Sequence, residues 1–168
     1  MTDTATKVNQ PTINLNGKTL SGATVLSFGP DNVLFVGDSK AGVVHAIPTK
    51  AAILKDPVPF NGHAIDRAIA KILGVPPSDL IINDMQIHPV SQEAYITIKN
   101  GHAPNAKSLI AIVSPTNNEV RFLTIPNSRK QQVSIKDPLT KDFNFYRDFP
   151  ASTLNITCLL YTSDAADE

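Results

Sequence analysis

The residues best suited to chemistry are Asn83 and Asp84. An amide oxygen beside a carboxylate suits a hard cation such as Ca²⁺, which takes about six to eight oxygen ligands. The pair stands at the start of a predicted strand. The implied cofactor is therefore Ca²⁺ or another divalent cation whose remaining ligands come from elsewhere in a full-length protein. The competing role for Asp84 is to accept backbone hydrogen bonds from a neighbouring loop. His102 lies in a polar loop, Asn100–Asn105, and is the candidate binding residue. His63 precedes a predicted helix and is placed to cap it. His45 alternates with Val44 and Ala46, has no partner at ligand spacing, and reads as structural. There is no Gly-rich phosphate loop, HExxH, nucleophile elbow or CxxC. No catalytic residue is assigned, and whether the protein is an enzyme stays open.

Two hairpins must position these residues. The first runs from Val25 to Asp38 and the second from Asp84 to Ile96. Each reads as a strand, a turn led by proline, and a second strand. Pro30 presets φ for its turn, and Asp31 and Asn32 tolerate the bent conformations that follow. Pro89 repeats the role, with Ser91 and Gln92 at the tip. Apolar residues alternate before each turn, Leu26 with Phe28 and Met85 with Ile87. β-Branched and aromatic residues follow, Val33–Val36 and then Tyr95, Ile96 and Ile98. Pro30 and Pro89 lie 59 residues apart, a period that points to a propeller or solenoid.

The elements follow in order. Residues 1–12 read as a disordered lead, and Ile13–Asn16 as a short strand of the kind that completes the last blade of a closed propeller. Strands at 23–29, 32–37 and 42–47 make blade one. Prolines mark a loop over 48–63. Ile65, Ile69, Ile72 and Leu73 then share one helical face, and Gly74 with Pro76 and Pro77 stops the helix. This predicts one helix near 63–74, inserted between blades. Blade two takes strands at about 80–88, 93–98, 107–113 and 118–125. The unbroken apolar run Leu109–Val113 suits a strand buried on both faces. Gln132–Ile135 offers a further strand, and Phe143, Phe145, Tyr146 and Phe149 an aromatic cluster packed on a blade edge. Thr153–Thr157 reads as the first strand of blade three.

The expected fold is therefore all-β: an incomplete propeller of about two blades and the start of a third, over residues 13–157. Blade faces without neighbours are expected to make such a piece prone to aggregation.

Cys158–Glu168 resembles the translation of a transposase-end sequencing adapter at all eleven positions, so residues 158–168 are expected to be an artefact outside the fold. Without Asp164, Asp167 and Glu168, twelve acids face fifteen bases, a net charge of about +3. There is no run of Lys or Arg, so nucleic acid is not an expected partner. No stretch approaches the about 20 apolar residues of a membrane span. Met1–Gln10 lacks the apolar core of a signal peptide. The expectation is a cytoplasmic chain or, with an upstream natural start, a periplasmic or secreted one.

Phe28–Ser39 resembles the F-x-P-D/N-G-x-L-Y-V-x-D-S phrase of gluconolactonase-like, NHL and related propellers. Ile82–Met85 with Pro89 and Tyr95 resembles their N-D-x-x-x-x-P-x-G-x-x-Y phrase. The order of elements over 23–157 is also similar to that of an uncharacterised bacterial β-propeller family. The chain departs from the phrases in two places. Asn32 and Gln92 replace the glycine after the turn, and the acidic metal ligand early in blade one has no match. The resemblance implies a binding propeller for a small molecule or a protein surface, completed by missing C-terminal blades. The alternative is a metal-dependent, lactonase-like hydrolase. A third reading is a structural or extracellular interaction module.

Overall fold

Alternating apolar positions and turn-forming residues produce two antiparallel sheets in the computed structural model. It describes residues 17–50, 52–56, 58–103, 106–125, 132–139, 144–146, 149–150 and 155–157. The expectations for 1–12, for Ile13–Asn16, for the aromatic packing of Phe143, Phe145, Tyr146 and Phe149, for Thr153 and Leu154, and for 158–168 lie outside the described residues.

The first sheet contains β1 (Ala23–Phe28), β2 (Val33–Asp38), β3 (Val43–Pro48) and β8 (Gln132–Ser134), in that order across the sheet. The second contains β4 (Leu80–Ile87), β5 (Ala94–Asn100), β6 (Ser108–Val113) and β7 (Val120–Phe122). One helix, α1 (Ile65–Leu73), lies between them in sequence. A short pair, β9 (Asn144–Tyr146) with β10 (Phe149–Pro150), stands apart. The fold is mostly β, and neither sheet closes on itself. The strands expected for the two blades, the strand expected at 132–135 and the helix thus stand within a few residues of their expected places.

Both hairpin turns bend through left-handed backbone. Asp31 and Asn32 have φ of 54° and 58°, and Gln92 has φ of 58°. Asn32 and Gln92 are the positions where the propeller phrase carries glycine. A residue without Cβ enters that region at no steric cost, and these side chains enter it at some strain.

The two sheets pack face to face through alternate residues. Ala23, Leu26, Leu34, Val36 and Ile47 of the first meet Tyr95, Ile110 and Ile112 of the second. Leu20 ties the sheets further by exchanging two backbone hydrogen bonds with Ser108, at 2.8 and 3.0 Å. The opposite face of the second sheet carries Ile96, Ile98, Leu109, Ala111 and Val113, and α1 lies on it through Ile65 and Ile69. Every residue of β6 is buried, as its unbroken apolar run predicted.

The helix is inserted between the sheets along the chain, as expected, and its apolar stripe covers the outer face of the second sheet. Other expectations change. The cap is not His63: the N-cap is Ala64 at φ 58°, with no side-chain cap bond. The first sheet is also not made of consecutive strands, whereas the second is. The fourth strand of the first sheet is β8, which returns after the whole second sheet to pair with β3 through Val43–Ser134, Val44–Val133 and His45–Gln132. Asn155–Thr157 forms no strand and lies against the first sheet, not beyond the second. Ser39 Oγ donates to the carbonyl of Ile156 at 2.6 Å, and the Asn155 side-chain amide donates to the carbonyl of Ser39 at 2.9 Å.

Candidate functional site

Asn83 and Asp84 lie on the seam between the sheets. The register of β4 shifts between Ile82 and Asp84, so Asn83 is the extra residue of a bulge. A bulge re-aims its side chain. Here the Asn83 amide donates to the carbonyl of Ala23 at 3.0 Å. Asp84 Oδ2 accepts from the N–H of Leu26, and Oδ1 from the N–H of Met85, both at 2.8 Å. The carboxylate thus satisfies two backbone donors, one of them in the other sheet. The donor, the N–H of Leu26, lies in a strand, β1, rather than in the loop expected for a structural Asp84.

β1 bulges at the matching place. Its register shifts between Ala23 and Val25, which makes Thr24 the extra residue. Thr24 and Asn83 are 59 positions apart, the separation of Pro30 and Pro89. The Ser39 hydroxyl proton is directed at Ile156 O, so Thr24 Oγ1 donates to Ser39 Oγ, 2.7 Å away. The Asn83 side chain thus reaches the other sheet, whereas that of Thr24 stays against its own hairpin at Ser39.

His102 is exposed, and its Nε2 donates to the carbonyl of Ser78 at 3.1 Å. That bond anchors the Asn100 loop beside the start of β4. Asp84 lies half-way along the same strand, so His102 and the Asn83–Asp84 pair do not share a site. Among the described residues, no group of three or more His, Cys, Asp or Glu is placed to hold a metal ion. Among the same residues, no helix is long and apolar enough to cross a membrane.

His88 received no role from the sequence, yet it is fully buried. Its Nδ1 accepts from the N–H groups of Val90 and Ser91, each at 3.1 Å. That fixes the proton on Nε2, which donates to Thr49 Oγ1 at 2.9 Å. Thr49 in turn donates to the carbonyl of Asn32. Phe28 meets the imidazole edge-on at 4.9 Å. Burial pushes the His88 pKa down, against the pull of nearby Glu93. The position before Pro89 was the available signal, since a turn start exposes N–H groups that a short side chain can accept.

A cleft of about 390 Å³ is lined by Thr19, Ser21, Asp38, His45, Ile125 and Gln132, among others. Asp38 is 2% exposed. Its Oδ2 accepts from the N–H of Ser21 at 2.8 Å and its Oδ1 from that of Ala41 at 3.0 Å. A carboxylate offers about four acceptor sites, so Asp38 keeps capacity for a donor inside the cleft. His45 pairs in register with Val36 and shares its face. Burial lowers its pKa, and the Asp38 charge opposes that shift. The walls thus offer a carboxylate, a neutral imidazole, an amide and two hydroxyls beside an apolar edge.

Comparison with known proteins finds no matching family model, no matching curated protein and no matching solved structure.

Proposed function

We propose that the two sheets are successive blades of a β-propeller and that the module binds a small molecule or a protein surface. One observation carries the reading. The polar residues that the sequence offers for chemistry hold strands together: Asn83 and Asp84 join the sheets, and His102 anchors a loop. Among the described residues, the polar cleft beside Asp38 and His45 is open to a ligand. The equal spacing of the bulges at Thr24 and Asn83 supports the blade assignment, as does the packing of β1 beside β4. The cleft chemistry fits a ligand with an N–H or O–H donor for Asp38 and a polar group for His45.

The test is a heteronuclear NMR titration of the protein with a panel of small amines, amides and polyols. Amides of Ser21, Ala41, Val43 and His45 should shift together, and His45→Ala should weaken the response. A parallel assay follows hydrolysis of an aldonolactone with and without Ca²⁺. Ca²⁺-dependent turnover lost in Asp84→Ala would reverse the reading in favour of the lactonase-like hydrolase.

A further inference from the structure

β4 is the edge strand of the second sheet, and it displays an apolar stripe. Ile82, Met85 and Ile87 are 49%, 46% and 41% exposed. They share the sheet face that α1 covers further along: Ile82 pairs in register with Ile98, Met85 with Ile96 and Ile87 with Ala94. Directly opposed residues share a face. The helix shields the β5 members and leaves the β4 members bare.

The molecule already contains the answer to what covers such a stripe. The positions 59 residues earlier are Ala23, Leu26 and Phe28 of β1. Ala23 and Leu26 are 0% and 2% exposed, and Phe28 packs on the same cluster. Their cover is the second sheet, whose edge strand β4 supplies the Asn83 amide to the Ala23 carbonyl and the Asp84 carboxylate to the Leu26 N–H. The carbonyl equivalent to that of Ala23 is the carbonyl of Ile82. The N–H equivalent to that of Leu26 belongs to Met85, and Asp84 Oδ1 already accepts from it at 2.8 Å. An incoming strand therefore needs a side-chain donor and apolar neighbours, and it does not need the acid.

We infer that the Ile82–Met85–Ile87 face of β4 is a docking surface for one further edge β-strand that aims an Asn, Gln, Ser or Thr side chain from a bulge at the carbonyl of Ile82. The inference rests on the blade reading above. It is continuous with the existing interface between β1 and β4, since the same strand that caps one neighbour repeats the surface it has covered. Apolar edge surface of this kind is what natural sheets cover or pair.

The probe is a synthetic peptide with the sequence of residues 79–90 and two added C-terminal lysines for solubility. It is titrated into the whole isotope-labelled chain. Amides of Ile82, Met85 and Ile87 should shift saturably. Replacing the peptide residue that corresponds to Asn83 by Ala should weaken binding at least tenfold. Met85→Lys in the protein should weaken it to the same extent, and Ile53→Lys, at another exposed position, should not. Both variants should keep the wild-type melting temperature. Absence of binding overturns the inference. So do shifts centred on Ala23 and Leu26, which would mean exchange of β4. A peptide-insensitive dimer that Met85→Lys dissolves would assign the face to a second copy and overturn it too. The cleft titration reads Ser21 and His45, so the two proposals fail separately.

Discussion

His88 Nε2 and Thr49 Oγ1 lie 2.9 Å apart and join the two hairpin turns, because Thr49 also bonds Asn32 in the first turn while His88 organises the second. This arrangement needs a neutral imidazole, since Nδ1 accepts two N–H groups. Protonation would turn that acceptor into a donor facing two donors.

Acid should therefore loosen the fold well above the range where carboxylates titrate. Burial depresses the His88 pKa in the folded state, and burial does the same at His45. The unfolded chain then binds more protons once the pH falls below the ordinary histidine pKa, about 6.5. Stability is complete above that pH and declines below it, at up to about 1.4 kcal/mol per pH unit for each such group. Thermal melts from pH 8 to pH 5 should show the loss beginning near pH 6.5. A melting temperature that stays level to pH 5 would contradict the bonding at His88.

Asp84→Ala should cost about 1–3 kcal/mol, because it leaves the N–H groups of Leu26 and Met85 without their acceptor. Asn83→Ala removes a neutral bond and should cost about 1 kcal/mol. Urea denaturation measures both. With Asn83 and Asp84 tied to β1 and no group of three or more His, Cys, Asp or Glu placed to hold a metal among the described residues, Ca²⁺ should leave the wild-type midpoint unchanged. A Ca²⁺-dependent rise that vanishes in Asp84→Ala would instead establish the cation site.

The two ends of α1 both sit in left-handed backbone, with opposite fits to their residues. Ala64 has φ of 58° and Gly74 has φ of 69°. A Cβ in that region costs about 1–2 kcal/mol. Ala64→Asn should gain up to about 1 kcal/mol, as Asn tolerates the conformation. Gly74→Ala should lose about 1 kcal/mol. Differential scanning calorimetry should show midpoints displaced in opposite directions.

Arg121 forks onto Glu93, with Nη2 3.0 Å from Oε2 and a second bond from Nη1 to Oε1. The Arg121 hydrogen bonds hold the Glu93 carboxyl below its usual range, with burial opposing them. Arg121 is half exposed, so Arg121→Ala should cost at most about 1 kcal/mol and less in high salt. The clearer readout is the Glu93 carboxyl resonance, whose titration should move to higher pH in the variant.

Ile69 is 0% exposed and lies in the interface of α1 with the second sheet. Ile69→Ala should cost about 2–5 kcal/mol. It should also raise the aggregation expected of an uncovered sheet face, seen as concentration-dependent light scattering above that of the wild-type chain.

Local pattern made much of this legible. Leu26 and Phe28 before Pro30, or Met85 and Ile87 before Pro89, need no distant information to read as strands. The stripe of Ile65, Ile69, Ile72 and Leu73 likewise identifies the helix and its buried face. What that stripe covers was not legible, because the outer face of a sheet and a gap between sheets want the same apolar residues. The bulge at Asn83 also escaped, since an extra residue is defined against its partner strand. Without it, an adjacent amide and carboxylate read as ligands; with it, they reach Ala23 and Leu26. Gln132–Ser134 was visible as a strand, but three residues carry no signal of which edge they will join.

β8 begins 84 positions after the end of β3, and this separation constrains the order in which the molecule can be made. During synthesis, β3 emerges with one row of backbone groups open, and the strand that closes it follows the entire second sheet. At about 5–20 residues per second, that delay is roughly 4–17 seconds. Pairing across so long a stretch is also slow once both partners exist. A nascent chain thus passes through a stage in which its second sheet has all four of its strands and its first still has three, with the edge of β3 available to any neighbouring chain on the same polysome.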